Sequence, residues 1–220
     1  PEIDDLARFL NRCGARVSGI GTDTLEIAGV RRLHGASHTV LPDRIEAATY
    51  LTAAAMTGGD VLLRRMNPAH LRPVLDCLQD AGCDVRVSAH AVRLRAPQRL
   101  TSFPPVRTAP YPGFPTDAQA LLMAAAAAAR GTSTFEETVF SDRFRHVPAL
   151  RRMGADIRTD GAHAVVYGVP QLHGAAVQAT DLRGGAAMIL AGLAADGVTT
   201  VADDGHIDRG YEKIECVLQS

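Results

Sequence analysis

Apolar residues in the first dozen positions fall at Ile3, Leu6, Phe9 and Leu10, the spacing of one helix face. The pattern predicts a helix over 3–13 that stops at Gly14, where a left-handed residue closes a helix C-terminus. Two short alternating stretches follow, 15–17 and 24–27, around a turn at Gly19–Gly21, and read as a strand pair. The same order returns twice. A polar helix at 71–78 reaches Gly82 before strands at 84–87 and 91–94, and another at 147–153 reaches Gly154 before strands at 155–157 and 163–167. A recurrence about every 70 residues governs the reading of the whole chain.

A second helix pattern keeps step with the first. Segments 45–56, 118–129 and 182–195 are alanine-rich and nearly free of charge, and each precedes a β-type run, at 61–63, 132–135 and 198–201. Asp43, Asp117 and Asp181 stand at their starts, where a carboxylate is predicted to cap free amides and complement the helix dipole. A helix without a polar face belongs inside a protein. The alternation predicts an α/β fold of repeated βαβαββ units, an inside-out barrel with alanine-rich helices within and sheets outside. Residues 1–40 read as the last part of a repeat left over from a neighbouring domain, and 41–220 as a domain of repeated units ending in a truncated polar helix at 211–219. About two and three-quarter units are present, which predicts a longer protein.

Composition narrows the function classes. With 46% hydrophobic and 21% charged residues the chain is globular in type. Lys and Arg number 23 against 24 Asp and Glu, Trp is absent and aromatics make up 5%, so nucleic acid is not the predicted partner. No apolar run reaches the roughly 18 residues that span a bilayer, so no membrane is predicted either. Cys13, Cys77, Cys83 and Cys216 lack metal-ligand spacing and read as free thiols of a cytoplasmic protein. The eight histidines show no such spacing, and no metal site is read.

The strings VLPDRIEAATYL (40–51), VRTAPYPGFPTDAQA (106–120), FEETVFSDRFRHVPAL (135–150), ATDLRGGAAMILAGLAADGVT (179–199) and HIDRGYEKIE (206–215) carry a resemblance. They are similar to the enolpyruvyl transferase superfamily, and within it to the UDP-N-acetylglucosamine 1-carboxyvinyltransferase family. The resemblance covers nearly all of this chain and roughly the C-terminal half of a family member. It implies transfer of the enolpyruvyl group from phosphoenolpyruvate to the 3-hydroxyl of UDP-N-acetylglucosamine, the first committed step of peptidoglycan synthesis. The implied site is a cleft between two domains, with no cofactor and no metal.

By the same resemblance Asp117 is the base, and Val139 and Phe140 belong to the segment whose backbone meets the nucleotide sugar. Asp181 and Arg183 open the next unit, and Arg209 meets the phosphoenolpyruvate anion together with Arg183, each from a helix start. Taken as residues alone, Asp117 is equally a helix cap, Val139 and Phe140 a buried strand end, and Arg209 a surface partner of Asp208. Arg143 reads as a brace of its loop against a carboxylate, Asp43 and Arg44 as cleft architecture, and His146 and His206 as candidates to line the cleft. The family's proton donor, a cysteine or aspartate on a Gly-rich loop of the other domain, matches none of the four cysteines. The family's Lys-Asn pair is absent too, Lys213 being the sole lysine. The chain alone is therefore predicted to be inactive, with the N-terminal half of the same enzyme as its partner. Two rivals remain open: a non-catalytic or degenerate repeat module acting through protein interaction, and an enolpyruvyl transferase for another hydroxyl acceptor.

Overall fold

The structure, a computed structural model, describes residues 1–219, which divide into two compact units, Pro1–Asp43 and one that begins at Arg44. In the first, helix α1 (Glu2–Arg12) leads to the antiparallel strands β1 (Arg16–Ser18) and β2 (Glu26–Ala28). The Asn11 amide bonds both the N–H and the C=O of Val17, at 2.8 and 2.7 Å, and so fixes the helix against its strand. A bond from His38 to the Asp5 carboxylate, 3.0 Å long, anchors the irregular segment that follows and holds the Asp5 carboxyl below its ordinary value. Ile3, Ile27 and Val40 are 65, 73 and 72% exposed.

The second unit runs through three repeats. The first comprises α2 (Arg44–Thr57), β3 (Asp60–Arg64), a 3-10 turn at Pro68–Leu71, α3 (Arg72–Asp80), β4 (Asp84–Ser88) and β5 (Ala91–Arg95), with sheet order β3-β5-β4. The next contains β6 (Val106–Arg107), α4 (Thr116–Ala128), β7 (Thr132–Glu136), α5 (Val147–Arg152), β8 (Asp156–Asp160) and β9 (His163–Tyr167), in order β6-β7-β9-β8. The last holds β10 (Leu172–His173), β11 (Ala176–Gln178), α6 (Leu182–Ala194), β12 (Ala195–Asp196), β13 (Thr200–Ala202) and α7 (Ile214–Leu218). Here β10 pairs with β12 and β11 with β13, both in parallel.

The repeat is exact at one backbone position. Gly14, Gly82 and Gly154 have φ of 92, 102 and 92°, a region closed to most side chains. In each case the glycine N–H bonds three residues back, to Asn11, Gln79 and Arg151. The next N–H bonds five back, to Leu10, Leu78 and Leu150. This paired closure satisfies helix carbonyls and turns the chain into the following hairpin.

Helices α2, α4 and α6 pack against one another pairwise. Every residue of α4 from Ala118 to Ala127 is buried, because alanine on all faces lets the neighbouring backbones approach and leaves no polar face to solvate. The sheets lie outside. Asp60 on β3 accepts bonds from Arg93 and Arg95 on β5 at 2.9 and 2.7 Å, all three half-exposed, as suits a strand face turned to water. The predicted inside-out α/β arrangement is therefore the observed one. Strands β6, β10, β11 and β12, of two or three residues each, go beyond the sequence reading. The terminal helix differs too: Tyr211 is 1% exposed, Lys213 is left-handed at φ 50°, and helix begins only at Ile214.

Candidate active site

The first turns of the three central helices meet at one place. Asp117 is the second residue of α4, and its Oδ1 accepts from Arg143 Nη2 at 2.6 Å. Its Oδ2 accepts from Arg183 Nη2, in the first turn of α6, at 3.3 Å. The side chains of Arg143 and Arg183 are 24 and 14% exposed and that of Asp117 39%, so the carboxylate faces solvent while its partners lie behind it. Arg143 also stacks over the Phe140 ring at 5.5 Å, and Arg183 over Tyr211 at 5.8 Å. Two guanidinium groups, one on each oxygen, fix the direction of the carboxylate.

The capping prediction holds for Asp181 and fails for Asp117. Asp181 is the N-cap of α6 and accepts from the N–H groups of Arg183 and Gly184, both at 2.9 Å. Burial works to raise its pKa, but the amides of Gly184 and Arg183 and the charge of Arg143 bring the net shift below the ordinary value. In α4 the N-cap is Pro115, and the two arginines draw the Asp117 carboxylate away from the helix amides.

A pocket of about 250 Å³ opens beside Asp117, lined by Arg44, Ala109, Pro110, Tyr111, Pro115, Thr116, Val139 and Phe140. Four residues named from the sequence thus border one cavity: Asp117, Val139, Phe140 and Arg44, the last expected as cleft architecture. Ala109, Pro110, Tyr111, Pro115 and Thr116 were missed, although they lie inside a quoted string. Phe140 is exposed, and the expectation of a buried strand end is corrected: β7 ends at Glu136, and 138–140 form a loop over the pocket.

Behind the arginines runs a buried chain of contacts. Arg183 Nη1 donates to the Tyr211 hydroxyl at 3.3 Å, which lies 2.8 Å from Thr49 Oγ1 on α2. Tyr211 therefore links α2 and α6 at the site. No role for it is legible in the sequence. His146 is fully buried, with Nε2 3.2 Å from Met123 Sδ on α4, and burial pushes its pKa down to about 4. It packs the Arg143 loop onto the core as a neutral ring, and does not line the cleft.

Arg209 is exposed, in a turn four to five residues ahead of α7 rather than at a helix start, which corrects the expected symmetry with Arg183. That turn is seated on α6. A Cβ on Gly185 would stand 2.7 Å from Ile207, and one on Gly210 would stand 2.7 Å from Leu182. The cause of the turn is Asp203, whose carboxylate accepts from the N–H groups of His206 and Ile207 at 3.0 and 3.1 Å. Among the described residues no group of three or more His, Cys, Asp or Glu is arranged to hold a metal, and no helix is long and apolar enough to cross a membrane.

Comparison with known proteins places this chain in a family. The sequence profile of EPSP synthase (3-phosphoshikimate 1-carboxyvinyltransferase) matches residues 1–218. A protein of Finegoldia magna named UDP-N-acetylglucosamine 1-carboxyvinyltransferase is 52% identical over 216 residues, which are 97% of this chain and 51% of that protein. One of the same name from Myxococcus xanthus is 50% identical over all of this chain and 52% of its own length. The crystal structure of the enolpyruvyl transferase NikO from Streptomyces tendae superposes with a TM-score of 0.82 at 30% identity, covering 99% of this chain and 52% of that one. EPSP synthase from Acinetobacter baumannii, at 20% identity and a TM-score of 0.71, shares the fold. The chain spans about half the length of the curated relatives it matches. The profile match along nearly its whole length shows that this chain belongs to the EPSP synthase family of enolpyruvyl transferases.

Proposed function

We propose that the chain is the base-supplying half of an enzyme that transfers the enolpyruvyl group of phosphoenolpyruvate to the 3-hydroxyl of UDP-N-acetylglucosamine, in cell-wall synthesis in the cytoplasm. The observation that carries this reading is Asp117, a solvent-facing carboxylate held by Arg143 and Arg183 at the edge of the Val139–Phe140 pocket. The names of the relatives at about half identity supply the acceptor.

In this reading the acceptor hydroxyl approaches Asp117, which takes its proton as the oxygen attacks C2 of phosphoenolpyruvate. The methylene carbon gains a proton from a donor in the other half of the enzyme, giving a tetrahedral adduct. Loss of phosphate with a proton from the new methyl group restores the double bond. Arg209 offers a planar fork to the carboxylate and phosphate of the substrate, and Arg183, bonded to Asp117 and Tyr211, adds its charge to the anion site from behind the base. Asp181 holds the α6 start at which Arg183 is presented, and the Val139–Phe140 segment faces the nucleotide sugar. Residues 1–40 belong to the neighbouring domain, and exposed Ile3, Ile27 and Val40 await apolar cover there. The N-terminal half of the same enzyme is then the chain's partner, and the small-molecule substrates need no nucleic acid or membrane.

A second reading keeps the chemistry and changes the acceptor, since the family profile is described by 3-phosphoshikimate. Phosphate release by the full-length protein separates the two. Release from phosphoenolpyruvate that depends on UDP-N-acetylglucosamine supports the proposal, release with 3-phosphoshikimate alone supports the second reading, and release with neither removes both.

A further inference from the structure

Three stretches of the pocket lining beside Asp117 are tied to one buried side chain, Glu137, which the reaction scheme does not use. Glu137 is 4% exposed. Its Oε1 accepts from Thr108 Oγ1 at 2.9 Å, Val139 N at 2.9 Å and Phe140 N at 3.1 Å. Its Oε2 accepts from Thr116 Oγ1 at 2.8 Å. Thr108 adjoins the Ala109–Tyr111 wall, Thr116 is the first residue of α4 and neighbour of Asp117, and Val139 and Phe140 form the third wall. Thr108 adds a second clasp, its Oγ1 accepting from Thr138 N at 2.9 Å. The four bonds to Glu137 come from Thr108, from Thr116 and from the Val139–Phe140 loop, so one side chain ties three parts of the pocket lining together.

We propose that Glu137 is a positioning residue for the acceptor site. It turns the amides of Val139 and Phe140 inward, so that this loop offers its carbonyls and side chains, not its N–H groups, to a bound nucleotide sugar. It also fixes the loop's distance from Asp117 through Thr116. A buried carboxylate suits this task because backbone amides donate only, and one oxygen can take several of them. The proposal rests on the acceptor-site reading above.

Glutamine separates shape from charge. In Glu137→Gln the amide oxygen keeps the Oε1 partners, and the NH2 donates to a Thr116 hydroxyl that has rotated to accept. Glu137→Ala removes all four bonds. In the full-length protein, calorimetry with UDP-N-acetylglucosamine is expected to show binding weakened about tenfold or more in Glu137→Ala, the scale of a misplaced contact, with most of it restored in Glu137→Gln. The KM for phosphoenolpyruvate should move by less than about threefold in either, because the anion site lies on α6 and the 208–210 turn. Hydrogen exchange at Val139 and Phe140 should quicken in Glu137→Ala and not in Glu137→Gln. Should Glu137→Ala not fold, Thr116→Val, which deletes one bond, is expected to weaken nucleotide-sugar binding about threefold.

The assignment is overturned if Glu137→Ala, or Thr116→Val in its place, binds the nucleotide sugar as the wild type does. It is equally overturned if both substrates lose affinity together. Failure of the wild type to bind UDP-N-acetylglucosamine would remove the function reading instead. Exchange at Val139 and Phe140 would then decide the positioning role alone, with unchanged protection in Glu137→Ala overturning it.

Discussion

The Arg143 guanidinium meets the Asp117 carboxylate at 2.6 Å across 26 residues of sequence. Arg143 is itself stacked on Phe140, so the group that orients the proposed base is also attached to the loop that walls the pocket beside it. Base and pocket are thereby set by one side chain. Arg143→Ala in the full-length protein is expected to lower kcat about tenfold or more while the protein still folds, since a base out of line loses proton-transfer efficiency. Arg143→Lys keeps the charge without the stack or the paired donors and should recover only part of the loss. Steady-state kinetics on the three proteins checks the order.

Arg209 offers a different test, because it is exposed in a turn and not held at a helix start. If it meets the phosphoenolpyruvate anion, Arg209→Lys raises the KM for phosphoenolpyruvate and leaves nucleotide-sugar affinity unchanged. If it serves only the surface beside Asp208, the variant lowers the melting temperature and leaves the KM where it was.

His146 makes stability depend on pH. Burial holds its folded pKa near 4, against about 6.5 in the unfolded chain, so the unfolded state binds more protons between those values. Its stabilising effect is complete above about pH 6.5 and is lost as the pH falls towards 4, a change of up to about 3 kcal/mol. Asp181 and Arg143 face it with opposite effects, the carboxylate favouring and the guanidinium opposing the charged ring. Melting curves across that range should be steeper for the wild type than for His146→Leu. Parallel curves would contradict the assignment.

The thiols of the second unit should react unequally. Burial pushes the Cys77 thiol up to about 12 and Cys83 up to about 11, whereas Cys216 is exposed on α7. Iodoacetamide at pH 8 should label Cys216 first and reach Cys77 and Cys83 only on unfolding, as peptide mass mapping can show.

The repeated glycines and alanine-rich helices made the architecture legible in the sequence. A left-handed residue after each polar helix and a helix without a polar face each admit one arrangement. The candidate site was legible only in part. Asp117, Val139 and Phe140 stand in strings that carry a family resemblance; Glu137, Tyr211 and Tyr111 stand in them too, but no local pattern gives these three a role. Their side-chain partners are distant in sequence: Glu137 takes the hydroxyls of Thr108 and Thr116, 29 and 21 residues back, and Thr49 and Tyr211 are separated by 162 positions. Local pattern also misled at Asp117, where a carboxylate at a helix start reads as a cap, yet two distant arginines outcompete the helix amides. At Tyr211 a helical pattern gave way to a buried ring bonded to Thr49 and Arg183.

The central claim is that Asp117 acts as the base for the acceptor hydroxyl, and its most direct measurement is turnover by the full-length protein carrying Asp117→Ala. Phosphate release from phosphoenolpyruvate is followed with UDP-N-acetylglucosamine at saturation, with circular dichroism as the check on folding. Loss of a positioned base predicts a fall of about 100-fold or more in kcat with the fold intact. Turnover near that of the wild type would contradict the account.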